Sequence, residues 1–121
     1  MILPPLFHWS PRERLGAIRR QGLVPGRPPT IGSIPAVHDE QLVVCFGTGP
    51  AAAWRLSGNM RWARHITCWD LWQTEAGPMD AVFVLPEWGN RIKEVRIGNR
   101  VPKSRLTWIG ERSTRAAVPI R

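Results

Sequence analysis

Long apolar runs are missing from this chain: no stretch of about 18 apolar residues occurs that could cross a bilayer, so no membrane contact is expected. Cysteine is nearly missing too. Cys45 lies in an apolar run and Cys68 stands beside Trp69, which argues against a disulfide framework and predicts two buried free thiols. The opening Met1 to Leu6 contains two prolines and no basic residue, so it lacks the pattern of a signal peptide, and a bacterial or viral cytoplasm is the expected location. Metal-ligand spacing is absent as well. His65 and Cys68 stand three apart but no second such pair accompanies them, and no metal site is expected. Neither internal repeats nor low-complexity tracts occur. Acidic residues are scarce, nine Asp/Glu against 17 Lys/Arg, leaving a net charge of +8.

That charge is concentrated at one end. Residues 1–40 hold five Lys/Arg and three Asp/Glu, residues 41–90 three and four, and residues 91–121 nine and two. A basic end of this kind attracts polyanions through long-range steering and counterion release, which makes nucleic acid a natural partner and Arg96, Arg100, Lys103 and Arg105 its contact residues. The alternative is a solvated face that only keeps the protein soluble. A length of 121 residues with 43% apolar content predicts a single domain spanning 1–121.

Twelve prolines and 11 glycines keep the expected elements short. Leu6 to Trp9 reads as a brief strand. A helix is then expected to open with Ser10 as N-cap, Pro11 in the first helical position and Glu13 three residues after the cap, and to end at Gly22 after the apolar stripe Leu15 and Ile18. Gly26 to Glu40, with prolines at 28, 29 and 35, predicts a long irregular loop. Leu42 to Phe46 has the pattern of a buried strand, and a turn through Gly47, Thr48 and Gly49 leads to a helix at Ala51 to Leu56, capped by Ser57 and Gly58. Asn59 to Pro78 has no clean period and suggests only a short strand or turn. Ala81 to Leu85, Ile92 to Ile97 and Leu106 to Ile109 follow as strands, with Arg112 to Arg121 a basic tail. The order predicts an α+β fold, helices early and sheet late.

Several residues could carry chemistry. His8 ends the first strand, where side chains commonly line sites, although a lone histidine there is as often structural. Glu94 shares one face of its strand with Ile92 and Arg96, while Lys93, Val95 and Ile97 share the other. It either pairs with Arg96 or points into a cleft, and periodicity does not decide between them. The Gly47-Thr48-Gly49 turn could offer backbone N–H groups to a phosphate but lacks the full P-loop pattern and its lysine. Of the seven tryptophans, most are expected in the core, with Trp9 and Trp54 next to the candidate site segments.

Three segments in order carry a family resemblance. Phe7-His8-Trp9-Ser10 followed by a helix ending in Gly22-Leu23-Val24-Pro25, then Val43 to Trp54, then Lys93-Glu94-Val95-Arg96-Ile97 with Val101-Pro102, together resemble small ADP-ribosyltransferase-like domains, including the RNA 2′-phosphotransferase and DNA-modifying toxin branches. The resemblance implies a small fold with two short N-terminal helices packed on a mainly antiparallel sheet, and NAD as substrate. It implies that His8 hydrogen-bonds the ribose of the nicotinamide half and that Glu94 holds the ribose 2′-hydroxyl and stabilises an oxocarbenium-like transition state. Ser10, Gly22, Leu23, Phe46, Thr48 and Trp54 would complete the NAD-contacting set. The family often stacks a tyrosine on nicotinamide; this chain has no tyrosine, and Phe46 or Trp54 would take that place. The loop from Gly26 to Glu40 would cover the ligand.

The expected function is accordingly an NAD-dependent ADP-ribosyltransferase-like enzyme of phage or bacterial-conflict origin, acting on a nucleic acid or a host protein through His8 and Glu94. The alternative is a catalytically inactive module of the same fold that binds nucleotide or nucleic acid, or that works as a phage protein inhibiting a host factor.

Overall fold

The computed structural model describes residues 2–26, 42–57, 65–87, 89 and 91–113. Among them, strand β1 (Leu6–Pro11) leads through a 3-10 turn (Arg12–Arg14) into helix α1 (Leu15–Gln21). Strand β2 (Val44–Phe46), helix α2 (Pro50–Ser57), strands β3 (Cys68–Thr74), β4 (Val82–Pro86) and β5 (Ile92–Ile97), a second 3-10 turn (Lys103–Arg105) and strand β6 (Thr107–Ser113) follow. The architecture is α+β, as expected, but the strands divide into two antiparallel three-stranded sheets, β1-β3-β6 and β2-β5-β4.

Among the described residues one main-chain bridge joins the two sheets. Phe7 and Gly47 exchange both main-chain hydrogen bonds, Phe7 N–H donating to the Gly47 carbonyl at 2.8 Å and Gly47 N–H to the Phe7 carbonyl at 2.9 Å. Gly47 is required there by close approach, since a Cβ on it would stand 2.3 Å from the Ala53 nitrogen of α2. Beyond this pair β1 and β2 part, and α1 lies beside the gap.

Alternation builds the core. Val44 and Phe46 on β2 face the same side as their partners Ile97 and Val95 on β5, and these meet Leu6 and Trp72 from the other sheet. Phe46, Leu6, Val95 and Ile97 are completely buried, each removing about 2–3 kcal/mol worth of apolar surface from water. A second cluster, Trp9, Ala53, Trp69 and Leu71, packs α2 against the opposite face of β1 and β3.

Local signals were overridden in places. Ser10 and Pro11 extend β1 instead of opening a helix, and neither the 3-10 turn nor α1 has a side-chain N-cap. The Ser10 hydroxyl is buried and accepts from Trp72 Nε1 at 3.0 Å, a tertiary bond that outcompetes capping. Gly22 does end α1, with φ of 78°. The segment expected as a short strand or turn contains β3, a seven-residue strand and the centre of its sheet. Both helices end by Ser57 and four of the six strands follow them, so the expected order of helices early and sheet late holds among the described residues, with β3 added to it. β6 runs on to Ser113, taking in the first two residues expected as tail. Cys45 and Cys68 are not joined in a disulfide, and both are half-buried where buried thiols were expected. The expected loop after Gly26, Gly58 and the chain after Ser113 lie outside the described residues. No described helix is long and apolar enough to cross a membrane.

Candidate active site

The gap between β1 and β2 forms a cleft of about 790 Å³, within the range of small-molecule sites. β1 contributes His8, Ser10 and Pro11 to it, β2 and its approach Val43, Val44 and Cys45, and α1 with its flanks Arg14, Ala17, Ile18 and Gln21. Gly22 and Leu23 line it as well. The positions 14, 17, 18 and 21 have the spacing of a single helical face, a signal readable in the sequence.

His8 sits where the sheets part. In a regular ladder the hydrogen-bonded pair after Phe7–Gly47 would be Trp9–Cys45. Instead the His8 imidazole donates Nδ1–H to the Cys45 carbonyl at 2.8 Å. A side chain thus takes the place of a ladder bond and wedges β1 away from β2. Because a carbonyl only accepts, Nδ1 carries the proton and Nε2 of the neutral ring is an acceptor. Burial pushes the His8 pKa below its ordinary 6.5, the Cys45 carbonyl opposes that shift and the Arg14 charge adds to it. Since Phe7 bonds toward β2, alternation also directs the main-chain N–H and C=O of Trp9 toward the gap, and Pro11, the next residue facing that way, has no N–H.

The other expected site residues are distributed as follows. The Phe46 ring lies 5.7 Å from the His8 ring, tilted at 59°, but is completely buried. Thr48 stands in the turn before α2, and the neighbouring Gly47 N–H is occupied by Phe7. Trp54 stacks edge-on between Trp9 (5.5 Å) and Trp69 (5.3 Å), with the Arg112 guanidinium 4.1 Å from its ring centre. Neither Thr48 nor Trp54 is among the described residues lining the cleft.

Glu94 is buried and accepts from Arg96 Nε at 2.5 Å. It is not among the described lining residues, yet a short path joins it to His8. Arg96 stands opposite Cys45 in the β2–β5 register, and the Cys45 carbonyl holds His8. The segments carrying Gly22-Leu23 and Val101-Pro102 meet directly: Leu23 and Val101 exchange both main-chain hydrogen bonds at 2.9 Å.

One organising residue escaped the sequence reading. Asp70, fully buried in β3, accepts from Arg12 Nε through both carboxylate oxygens (3.0 and 2.9 Å) and from Trp108 Nε1 at 2.9 Å. Arg12 also bonds Glu111. Asp70 and then Glu111 bind the charged guanidinium and raise the Arg12 pKa. Arg12 begins the turn into α1, so this buried carboxylate fixes one wall of the cleft. A lone acid between Trp69 and Leu71 was the available signal.

Comparison with known protein families, curated proteins and solved structures finds no match for the chain.

Proposed function

We propose that this chain is an NAD-dependent ADP-ribosyltransferase-like enzyme, taking the nicotinamide half of NAD into the cleft between β1 and β2 and transferring ADP-ribose to a nucleic acid or protein. The observation that carries the reading is the His8–Cys45 bond, which opens the cleft and leaves a neutral imidazole with Nε2 able to accept from a ribose hydroxyl. Beside it, the Trp9 main chain directs a donor and an acceptor to the gap, a pair that suits a primary carboxamide such as that of nicotinamide. Phe46 supports His8 from below in place of the absent tyrosine.

In the reaction the bond from ribose C1′ to the nicotinamide nitrogen breaks, its electron pair leaving with nicotinamide. The acceptor's nucleophile then bonds C1′ and releases its proton. Glu94 is assigned the ribose 2′-hydroxyl and the positive charge that develops on the sugar, with Arg96 holding the carboxylate in line.

The same Glu94–Arg96 contact favours a second reading, a binding module whose carboxylate is permanently engaged. Titration with NAD separates the two. A thermal shift with NAD that His8→Ala removes, accompanied by nicotinamide release, supports the enzyme; a shift without release supports the module. No shift with either NAD or ADP-ribose removes both.

A further inference from the structure

The four cations expected to contact nucleic acid do not share one situation. Arg96 holds Glu94, and Arg105 holds Asp80 through two bonds of 2.9 Å. Arg100 and Lys103 are exposed, and the fold carries them to the end of α1, where Arg19 and Arg20 are exposed as well. The junction is held by several contacts. Leu23 and Val101 are paired, Arg100 Nη1 donates to the Gln21 carbonyl at 3.2 Å, and the Gly22 backbone lies against residues 101–103. Among the described residues none of these four cations is paired with a carboxylate.

Helix-end electrostatics explains part of this arrangement. A C-terminus favours a nearby cation, and Arg100 fills that role on Gln21. Four positive charges held on two converging segments exceed what a seven-residue helix calls for and repel one another unless a polyanion neutralises them. Three of the four are arginines, whose planar fork matches phosphate oxygens. Of the exposed large apolar side chains described, Val24 follows the corner and Leu42 leads into the segment paired with Gly26, while Ile2, Met79, Phe83, Val84, Trp108 and Ile109 lie on other segments, so among the described residues no cluster of apolar side chains for a lipid surface accompanies the charges.

We infer that the corner formed by Arg19, Arg20, Arg100 and Lys103 is a docking surface for the phosphate backbone of a single-stranded nucleic acid. It adjoins the cleft, because Gln21 and Gly22 line the cleft while their neighbours carry the charges. The inference does not depend on what the cleft turns over.

The test is binding of fluorescently labelled oligo(U) and oligo(dT) to the full chain without NAD, across a salt series. Four neutralised phosphates predict a slope of log affinity against log salt of about −3 for a single strand. The triple change Arg19→Gln, Arg20→Gln and Lys103→Gln should weaken binding by roughly 10-fold or more and flatten the slope, while Arg19→Lys with Arg20→Lys retains it. The charge-matched control Arg55→Gln, Arg91→Gln and Lys93→Gln, also at exposed positions, should bind like the unchanged protein. Equal losses in the two triples would reduce the effect to net charge and overturn the surface. So would no binding of either oligonucleotide, or tighter binding to phosphatidylserine vesicles or polyglutamate. Because binding is measured without NAD, this outcome stays separate from any failure of the NAD reading.

Discussion

Leu23 and Val101, 78 positions apart in sequence, exchange main-chain hydrogen bonds of 2.9 Å in both directions. This pair fastens the end of α1 to the segment after β5, and it leaves no room beside it. A Cβ on Gly22 would lie 2.1 Å from the Val101 carbonyl oxygen, at a backbone φ of +78°. Gly22→Ala should therefore destabilise the protein by roughly 2–4 kcal/mol, strain and clash together. Gly49→Ala, whose Cβ would meet nothing within 4 Å, is the control. Denaturant unfolding of the two variants checks the difference.

The lowered pKa of His8 sets a pH dependence. Below 6.5 the unfolded chain takes up a proton that the folded protein refuses, so stability falls as pH drops from about 6.5 toward the depressed folded value. His8→Asn keeps a donor for the Cys45 carbonyl without titrating. Unfolding measured between pH 7 and 5 should show a decline in the parent protein and a flatter profile in the variant.

Asp80 governs a lower window. Burial of its carboxyl is outweighed by hydrogen bonds from Arg105, the Gly77 N–H and Asn99, which bring its pKa from 3.8 to about 2. The resulting stability is complete above 3.8 and lost as pH falls through about 2. Asp80→Ala should cost about 2 kcal/mol at neutral pH, the loss of charge-assisted bonds to Arg105 and of the turn at Gly77. It should also remove the acid-dependent loss near the bottom of that window.

Asp70→Ala should be more damaging than Asp80→Ala, because it removes a fully buried carboxylate that anchors the half-exposed Arg12 and strips Trp108 of its acceptor. Its effect should reach the cleft through Arg12 and α1. A weaker thermal shift with NAD, at a temperature where the variant is still folded, is the readout that separates positioning from stability alone.

Much of the fold was legible because burial and alternation agree over short stretches. β5 emerged with its observed bounds, since Val95 and Ile97 alternate with Glu94 and Arg96 and only the former pair faces the core. The glycine stop at Gly22 was legible because no other residue suits its φ. β3 was not, because Trp69, Leu71 and Trp72 are buried on both sides of a central strand and leave no alternation to detect. Ser10 was misread for a related reason: its cap-like context is local, whereas its partner Trp72 is 62 residues away. In the candidate site the sequence pointed to His8, Gly22 and Leu23, which line one cleft. It offered the Glu94–Arg96 pairing as one of two alternatives, because both stand on one face of β5, but it could not reveal that Trp54 is enclosed by Trp9, Trp69 and Arg112, contacts that depend on which strands and helices are neighbours.

In the proposed reaction the His8 cleft and Glu94 together cleave the nicotinamide bond of NAD. Nicotinamide release from NAD by the unchanged protein and by Glu94→Gln, each verified as folded, tests it most directly. The account predicts release that falls by about 100-fold or more in the variant, the loss expected when a carboxylate that stabilises developing charge is neutralised. No release by the unchanged protein, or equal rates in the two, would contradict it.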